Sequence, residues 1–83
     1  MSVIVYSTPR CPHCKELKAA LNMLQIPFED RDASDTDVIA GLLADGIFAR
    51  AVPILQHGER YYLYDEIFDE KGVPRVDLML SLE

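Results

Sequence analysis

The chain has 83 residues, 49% of them apolar, and a formal net charge of −6. This length predicts a single domain over residues 1–83, and the apolar content is that of a folded protein rather than a disordered one. The negative charge argues against nucleic acid and against an anionic membrane surface as partners, because both attract basic proteins.

The amino-terminal residues Met1 to Tyr6 lack the basic leading region and the long apolar run of a secretory signal peptide. No stretch of the sequence approaches the roughly 18 apolar residues of a membrane-spanning helix. We therefore expect a cytoplasmic protein with no membrane partner.

The first half of the sequence predicts a strand, a helix and a second strand. Val3 to Tyr6 is a short apolar run typical of a buried strand. The helix follows, and Pro12 suits its first position because proline has no N–H to leave unpaired there. Cys11 is then the N-cap. Pro27 ends the helix, and Phe28 to Asp32 is the second predicted strand.

The second half predicts a helix, a hairpin and a last helix. Ser34 resembles an N-cap for the second helix, and Gly46 is a typical carboxyl-terminal stop. Val52 to Gln56 and Arg60 to Tyr64 predict two strands, joined by a turn at the intervening His-Gly pair. An acidic loop from Asp65 to Gly72 and a short helix from Val76 to Leu82 complete the chain.

The predicted order of elements is βαβαββα. The first βαβ unit requires parallel strands joined by a right-handed crossover, whereas the last two strands form an antiparallel hairpin. The expected fold class is α/β, with a four-stranded mixed sheet flanked by helices.

The strongest chemical signal is Cys11-Pro12-His13-Cys14 at a junction between a strand and a helix. Disulfide exchange needs an attacking thiolate and a second thiol that resolves the mixed disulfide. The free N–H groups and the dipole at a helix amino terminus stabilise an anion. We therefore predict that Cys11 is the nucleophile, with a lowered pKa, and that Cys14 is the resolving thiol.

The neighbours of Cys11 are predicted to tune its pKa. Arg10 and His13 add positive character, and Pro12 begins the helix that supplies the free N–H groups. An imidazolium at His13 would stabilise the thiolate, which exists only in the reduced form, and so make the protein a stronger oxidant. The alternative is that His13 points into solvent and only fills the turn.

A metal site is the competing interpretation of the Cys pair. Structural zinc takes four ligands, and the sequence has two cysteines and two histidines, with His57 in a distant turn. We predict redox activity and no metal ligands. The alternative function is a carrier that binds a metal or an iron–sulfur cluster across a dimer, or a scaffold with idle thiols.

Pro53, in the segment Ala51-Val52-Pro53, opens the third strand. A proline in a central strand removes a hydrogen-bond donor from the sheet. The position therefore favours a cis proline that faces the active site and leaves neighbouring backbone groups free for a substrate. The alternative is a trans proline on an edge strand.

Val5 to Cys14, followed by residues 51–53, resemble the glutaredoxin branch of the thioredoxin superfamily, and the similarity in order and spacing extends over residues 1–64. The resemblance implies a thioredoxin-like fold, a cis Pro53 beside the Cys pair, and reduction of protein disulfides by dithiol exchange in which Cys11 attacks first. The corresponding substrate-binding positions are Thr8, Val52, Pro53 and Asp77.

The sequence departs from that family at the positions that grip glutathione. The usual lysine is Thr8, the usual threonine before the cis proline is Ala51, and the usual Gly-Gly pair is replaced within Val73 to Leu78, of which only Asp77-Leu78 keeps the pattern. The small glutaredoxin-like electron donors of ribonucleotide reductase are similar in size and work without glutathione. We expect a monomer without a cofactor, reduced by a protein reductase or, less effectively, by glutathione.

Overall fold

The computed structural model describes residues 3–48 and 52–82. Within them the chain order is β1 Val3–Ser7, α1 Pro12–Met23, β2 Glu29–Asp32, α2 Thr36–Ala44, β3 Ile54–His57, β4 Arg60–Tyr62, α3 Tyr64–Ile67 and α4 Val76–Leu80. The predicted order is confirmed, and α3 is an addition to it.

The four strands form one mixed sheet in the order β2-β1-β3-β4. β1 and β2 are parallel, with Ile4 opposite Glu29. β3 is antiparallel to β1, with Leu55 opposite Val5, and antiparallel to β4. The predicted parallel pair and the predicted hairpin are both confirmed. β3 is central but begins at Ile54 rather than at Val52 as predicted, because Pro53 has no N–H to donate to the sheet.

The β2 strand lies at an edge of the sheet and begins at Glu29, one residue later than predicted. All four of its residues are exposed, and all are charged. Charged side chains on an edge strand oppose pairing with a second chain. This composition therefore protects the open edge of the sheet.

The sheet buries side chains on both faces because successive residues of a strand point in opposite directions. Val5 packs in one core with Leu17 of α1, whereas Tyr6 packs in the other with Leu42 of α2. Met79 of α4 belongs to the same core as Val5. The prediction of helices on both faces is thus confirmed, and each fully buried side chain contributes about 1.5–3 kcal/mol of hydrophobic stabilisation.

Helix α1 carries Cys14, Leu17 and Leu21 as its fully buried residues. Their spacing of three and four places them on one helix face. Cys14 is therefore part of the apolar stripe that packs α1 on the sheet. The helix ends at Met23, earlier than Pro27 requires, and Gln25 adopts a left-handed φ of 58°.

Helix α2 is capped by Asp35, so the prediction of Ser34 as the cap is wrong. The Asp35 carboxylate accepts hydrogen bonds from the N–H groups of Asp37 at 2.8 Å and Val38 at 3.4 Å. Ser34 instead donates its hydroxyl to Asp32. The predicted end at Gly46 is confirmed, since helix α2 stops at Ala44 and Gly46 has φ 79°.

The segment after β4 differs most from prediction. β4 ends at Tyr62, and helix α3, Tyr64–Ile67, replaces the end of the predicted strand and the start of the predicted acidic loop. Ile67 and Phe68 are buried in the core with α1 and α4, so the acidic residues face outward while the apolar residues anchor the segment. α4 ends at Leu80, two residues earlier than predicted.

Among the helices of residues 3–48 and 52–82, none has the length and apolar character needed to cross a membrane.

Candidate active site

Cys11 and Cys14 are joined by a disulfide bond, with their Cα atoms 5.2 Å apart. Cys11 is the N-cap of α1, and its Sγ accepts a hydrogen bond from the backbone N–H of Cys14 at 3.1 Å. This N–H has no carbonyl partner within the helix because it belongs to the first turn. It is therefore free to stabilise negative charge on the Cys11 sulfur.

The two cysteines differ in accessibility. The residue exposure is 8% for Cys11 and 0% for Cys14. Cys14 lies on the buried stripe of α1, so we expect a sulfur atom that approaches from solvent to meet Cys11 first. The attacking and resolving roles predicted for them are consistent with this difference.

Val52 and Pro53 lie beside the Cys pair. The Val52–Pro53 peptide bond is cis, and the Val52 carbonyl oxygen is 3.8 Å from the Cys11 Sγ. Pro53 is buried and directly precedes β3. The structure therefore brings these two predicted substrate-binding residues to Cys11. Ala51, a predicted point of departure from the family, lies outside the described residues.

The residues predicted to tune Cys11 surround the first turn of α1. Pro12 occupies the first helical position, and Arg10 is exposed in the turn before Cys11. Since Pro12 has no N–H, the donors that remain in the first turn begin with His13. The effect of Arg10 and Pro12 on the thiolate remains a prediction.

His13 is packed against aromatic residues that sequence reasoning missed. Its ring makes edge-to-face contacts with Tyr64, at a centroid distance of 5.1 Å, and with Phe68, at 5.4 Å. The His13 side chain is 44% exposed, but its ring also packs on Tyr64 and Phe68, so it does not only point into solvent. Its influence on Cys11 remains a prediction. The available signal was the i, i+4 spacing of Tyr64 and Phe68, which is typical of one helix face.

The other two predicted substrate-binding residues line separate surface cavities. Thr8 lines a cavity of about 230 Å³ with Lys18 and Asp30. Asp77, exposed in the first turn of α4, lines a cavity of about 570 Å³ with Arg75. Neither cavity has Cys11 among its lining residues, and the roles of Thr8 and Asp77 in substrate binding remain predictions.

A polar network beside Thr8 was also missed by sequence reasoning. The buried Ser7 donates its hydroxyl to Asp30 Oδ1 at 2.7 Å, and Lys18 Nζ donates to Asp30 Oδ2 at 2.9 Å. Burial acts to raise the pKa of Asp30, but these hydrogen bonds and the Lys18 charge outweigh it, and the pKa is lowered. The three residues come from β1, α1 and β2, and no local pattern connects them.

In the part of the chain that the structure describes, no group of three or more His, Cys, Asp and Glu side chains is placed to hold a metal ion.

The family model named Glutaredoxin matches residues 3–62. The chain belongs to the glutaredoxin family. A curated relative from Bacillus subtilis (strain 168), N-acetyl-S-hydroxy-L-cysteine reductase, is 29% identical over 83 residues, which cover 98% of this chain and 85% of the relative.

Two solved structures show the same fold. NrdH-redoxin from Escherichia coli, a glutaredoxin-like protein with a thioredoxin-like activity profile, superposes with a TM-score of 0.69 at 20% identity, over 100% of this chain and 96% of that one. A glutaredoxin from Archaeoglobus fulgidus gives 0.63 at 25% identity, over 78% and 77%. The predicted thioredoxin-like fold is confirmed.

The family, the Cys11–Cys14 pair and the reductase relative together show a thiol–disulfide oxidoreductase. The predicted activity is confirmed. The alternative, a metal or iron–sulfur carrier, gains no support from the comparisons over this function.

Proposed function

We propose that this glutaredoxin reduces disulfide bonds of other proteins, with Cys11 as the attacking thiolate and Cys14 as the resolving thiol. One observation carries the assignment: Cys11 is the more exposed residue and its sulfur accepts a hydrogen bond from the N–H of Cys14, whereas Cys14 is fully buried. In this proposal the Cys11 sulfur attacks the partner protein, and the buried Cys14 sulfur reacts only with Cys11.

The reaction has two exchange steps. The Cys11 thiolate attacks one sulfur of the substrate disulfide, the substrate S–S bond breaks, and the leaving thiolate takes up a proton. The Cys14 thiol then loses its proton, its sulfur attacks Cys11 Sγ, and the second substrate thiol is released. Two electrons pass to the substrate, and the protein ends with the Cys11–Cys14 disulfide seen in the structure.

The backbone next to Pro53 is suited to hold the substrate during attack. The Val52 carbonyl oxygen is 3.8 Å from Cys11 Sγ, so an extended peptide that pairs with Val52 has its own sulfur close to the nucleophile. Backbone pairing of this kind binds without regard to side-chain sequence. It therefore suits a protein that reduces several different disulfides.

The proposed reductant is a protein thiol rather than glutathione. Thr8 stands where the family has lysine, and Val73 and Pro74 lie in the stretch that replaces the Gly-Gly pair. Val73 is 52% exposed and offers an apolar surface at this position. We further propose that the protein works as a monomer in the reducing cytosol, because one chain supplies both cysteines of the site.

A second candidate substrate class is a small sulfenic acid, since the curated relative is named for reduction of an S-hydroxy-cysteine derivative. The Cys11 thiolate would attack the hydroxylated sulfur, and the S–O bond would break. Water would leave after proton uptake. Cys14 would then resolve the mixed disulfide as before, so both candidates use the same two residues.

Single-turnover reduction tests the proposal and separates the two candidates. The pre-reduced protein is mixed either with insulin or with N-acetyl-S-hydroxy-L-cysteine generated in place, and formation of the Cys11–Cys14 disulfide is followed. We expect faster oxidation by insulin, and a mixed disulfide at Cys11 that accumulates in Cys14→Ser. Insulin reduction retained in Cys11→Ser would overturn the assignment, and faster reaction with the small molecule would favour the second substrate class.

A further inference from the structure

His13, Tyr64 and Phe68 form a packed group, here called the aromatic cluster, beside the first turn of α1. The Tyr64 and Phe68 rings are stacked with centroids 4.8 Å apart, and the His13 ring lies edge-to-face with both. A Cβ atom on Gly72 would lie 3.8 Å from the Tyr64 hydroxyl and 4.0 Å from His13 Cε1. The turn that contains Gly72 therefore closes over the cluster.

The segment that carries Tyr64 is firmly held. Phe68 is 2% exposed and belongs to the main core. The following turn is organised by Asp69, whose carboxylate accepts hydrogen bonds from the N–H groups of Lys71 at 2.8 Å and Val73 at 3.0 Å. Tyr64, half-buried and stacked on Phe68, thus presents its ring to His13 from a rigid support.

Ring packing, and not a hydrogen bond from Nδ1, holds the His13 ring, whose side chain is 44% exposed overall. This nitrogen is out of contact with solvent and has no hydrogen-bond partner among the described residues. Its nearest acidic neighbour, Glu16 Oε1, is 3.9 Å away. Edge-to-face contacts between aromatic rings are worth about 0.5–1.5 kcal/mol each beyond their buried area, enough to favour one ring position.

We propose that Tyr64 is a positioning residue for the redox couple: it holds the His13 ring at the amino terminus of α1 and through it stabilises reduced Cys11. The inference rests on the proposed role of Cys11. The interaction of a ring with a thiolate depends on distance and orientation, whereas the disulfide carries no charge to interact with. If Tyr64 is removed and the His13 ring leaves its position, the ring therefore stabilises the reduced form less.

The test compares the Cys11–Cys14 couple in Tyr64→Leu, His13→Ala and the double variant, each equilibrated with a glutathione redox buffer. We expect Tyr64→Leu to shift the equilibrium constant toward the disulfide by about three- to tenfold. For a two-electron couple this makes the reduction potential roughly 15–30 mV more negative. His13→Ala should shift it in the same direction. The double variant should match His13→Ala alone, because Tyr64 acts through His13.

Two controls separate this role from general stability. Tyr64→Phe keeps the stacked ring and should retain the potential of the unaltered protein. Tyr61→Leu removes a half-buried tyrosine that packs in the other core, where its hydroxyl donates to Asp45, and should leave the potential unchanged. The pH midpoint of the Cys11 thiolate absorbance should rise in Tyr64→Leu and stay unchanged in Tyr61→Leu. Should Tyr64→Leu fail to fold, Tyr64→Met tests the same point.

An unchanged potential in folded Tyr64→Leu would overturn the inference. So would an unchanged potential in His13→Ala, or a Tyr64→Leu shift that persists in the His13→Ala background. These results are distinct from failure of the proposed function, since the couple is measured without a substrate. If Cys11 were not the reactive thiol, the mixed disulfide with insulin would instead accumulate in Cys11→Ser and not in Cys14→Ser.

Discussion

The backbone N–H of Cys14 donates a hydrogen bond to the sulfur of Cys11, 3.1 Å away. The residue that we propose resolves the mixed disulfide thus also supplies, through its backbone, a hydrogen-bond donor to the sulfur proposed to attack. Its side chain lies meanwhile on the apolar stripe of α1 with Leu17 and Leu21. We propose that this one turn of helix activates the first thiol and shields the second from other reagents.

Selective alkylation checks the assignment of roles. In the reduced protein at about pH 6, we expect iodoacetamide to modify Cys11 and not Cys14, because the free N–H groups at the helix terminus favour a thiolate at Cys11 and Cys14 is buried. Peptide mass spectrometry after a short reaction identifies the modified residue. Preferential modification of Cys14 would contradict the assignment.

The source of electrons is a second testable point. We expect slow turnover with glutathione and glutathione reductase and faster turnover with thioredoxin reductase, since Thr8 provides no cation for a glutathione carboxylate. Thr8→Lys should raise the glutathione-coupled rate by roughly ten- to a hundredfold, because a hydrogen bond to a charged group contributes roughly 1.5–3 kcal/mol. Thr8→Met is the matched control. Rapid turnover of the unaltered protein with glutathione would contradict the prediction.

Much of this architecture could be predicted because it depends on local patterns. The apolar run Val3 to Tyr6, the proline after Cys11 and the stop at Gly46 each have a local physical cause, and the structure has the elements they predict. Two strands joined by a crossover helix are parallel as a rule, and this rule predicts the pairing of β1 with β2 that the structure has.

The parts that could not be predicted depend on contacts between distant residues. Tyr64 reads as a strand residue, since tyrosine favours strands, and only the burial of Ile67 and Phe68 against α1 turns the segment into a helix. The site is divided in the same way. Cys11 and Cys14 follow from spacing, whereas the neighbours of His13 are Tyr64 and Phe68, 51 and 55 residues further along the chain.

Two glycine substitutions should change stability in opposite directions. Gly72 has φ 76°, a conformation that costs a residue with a side chain about 1–2 kcal/mol, so Gly72→Ala should destabilise the protein. Gly41 lies inside α2 with open space where a Cβ would be, and Gly41→Ala should stabilise the protein by about 0.5–1 kcal/mol. Urea unfolding midpoints measure both changes in stability. Midpoints that move in the same direction in the two variants would contradict the expectation.

The network of Ser7, Lys18 and Asp30 predicts a dependence of stability on acid. Burial raises the pKa of Asp30, but the hydrogen bonds from Lys18 and Ser7 lower it further than burial raises it. A carboxyl whose pKa is lower in the folded than in the unfolded state stabilises the fold above the unfolded value, roughly pH 3.9. That contribution disappears as the pH falls through the folded value. Its size is at most about 1 kcal/mol, because the Asp30 side chain is 46% exposed and solvent screens the pair.

Asp30→Asn should therefore lower the free energy of unfolding by up to about 1 kcal/mol at pH 7 and have little effect at about pH 2, where Asp30 is protonated in the unaltered protein too. Lys18→Met should show the same pH dependence, since it removes the cation from the pair. Glu59→Gln, at an exposed turn residue, is the matched control for loss of one negative charge. Urea unfolding between about pH 2 and 7 measures all three variants. A loss in Asp30→Asn that stays constant across this range would show that Asp30 acts through neutral hydrogen bonding rather than through its charge, because only the charged form responds to pH.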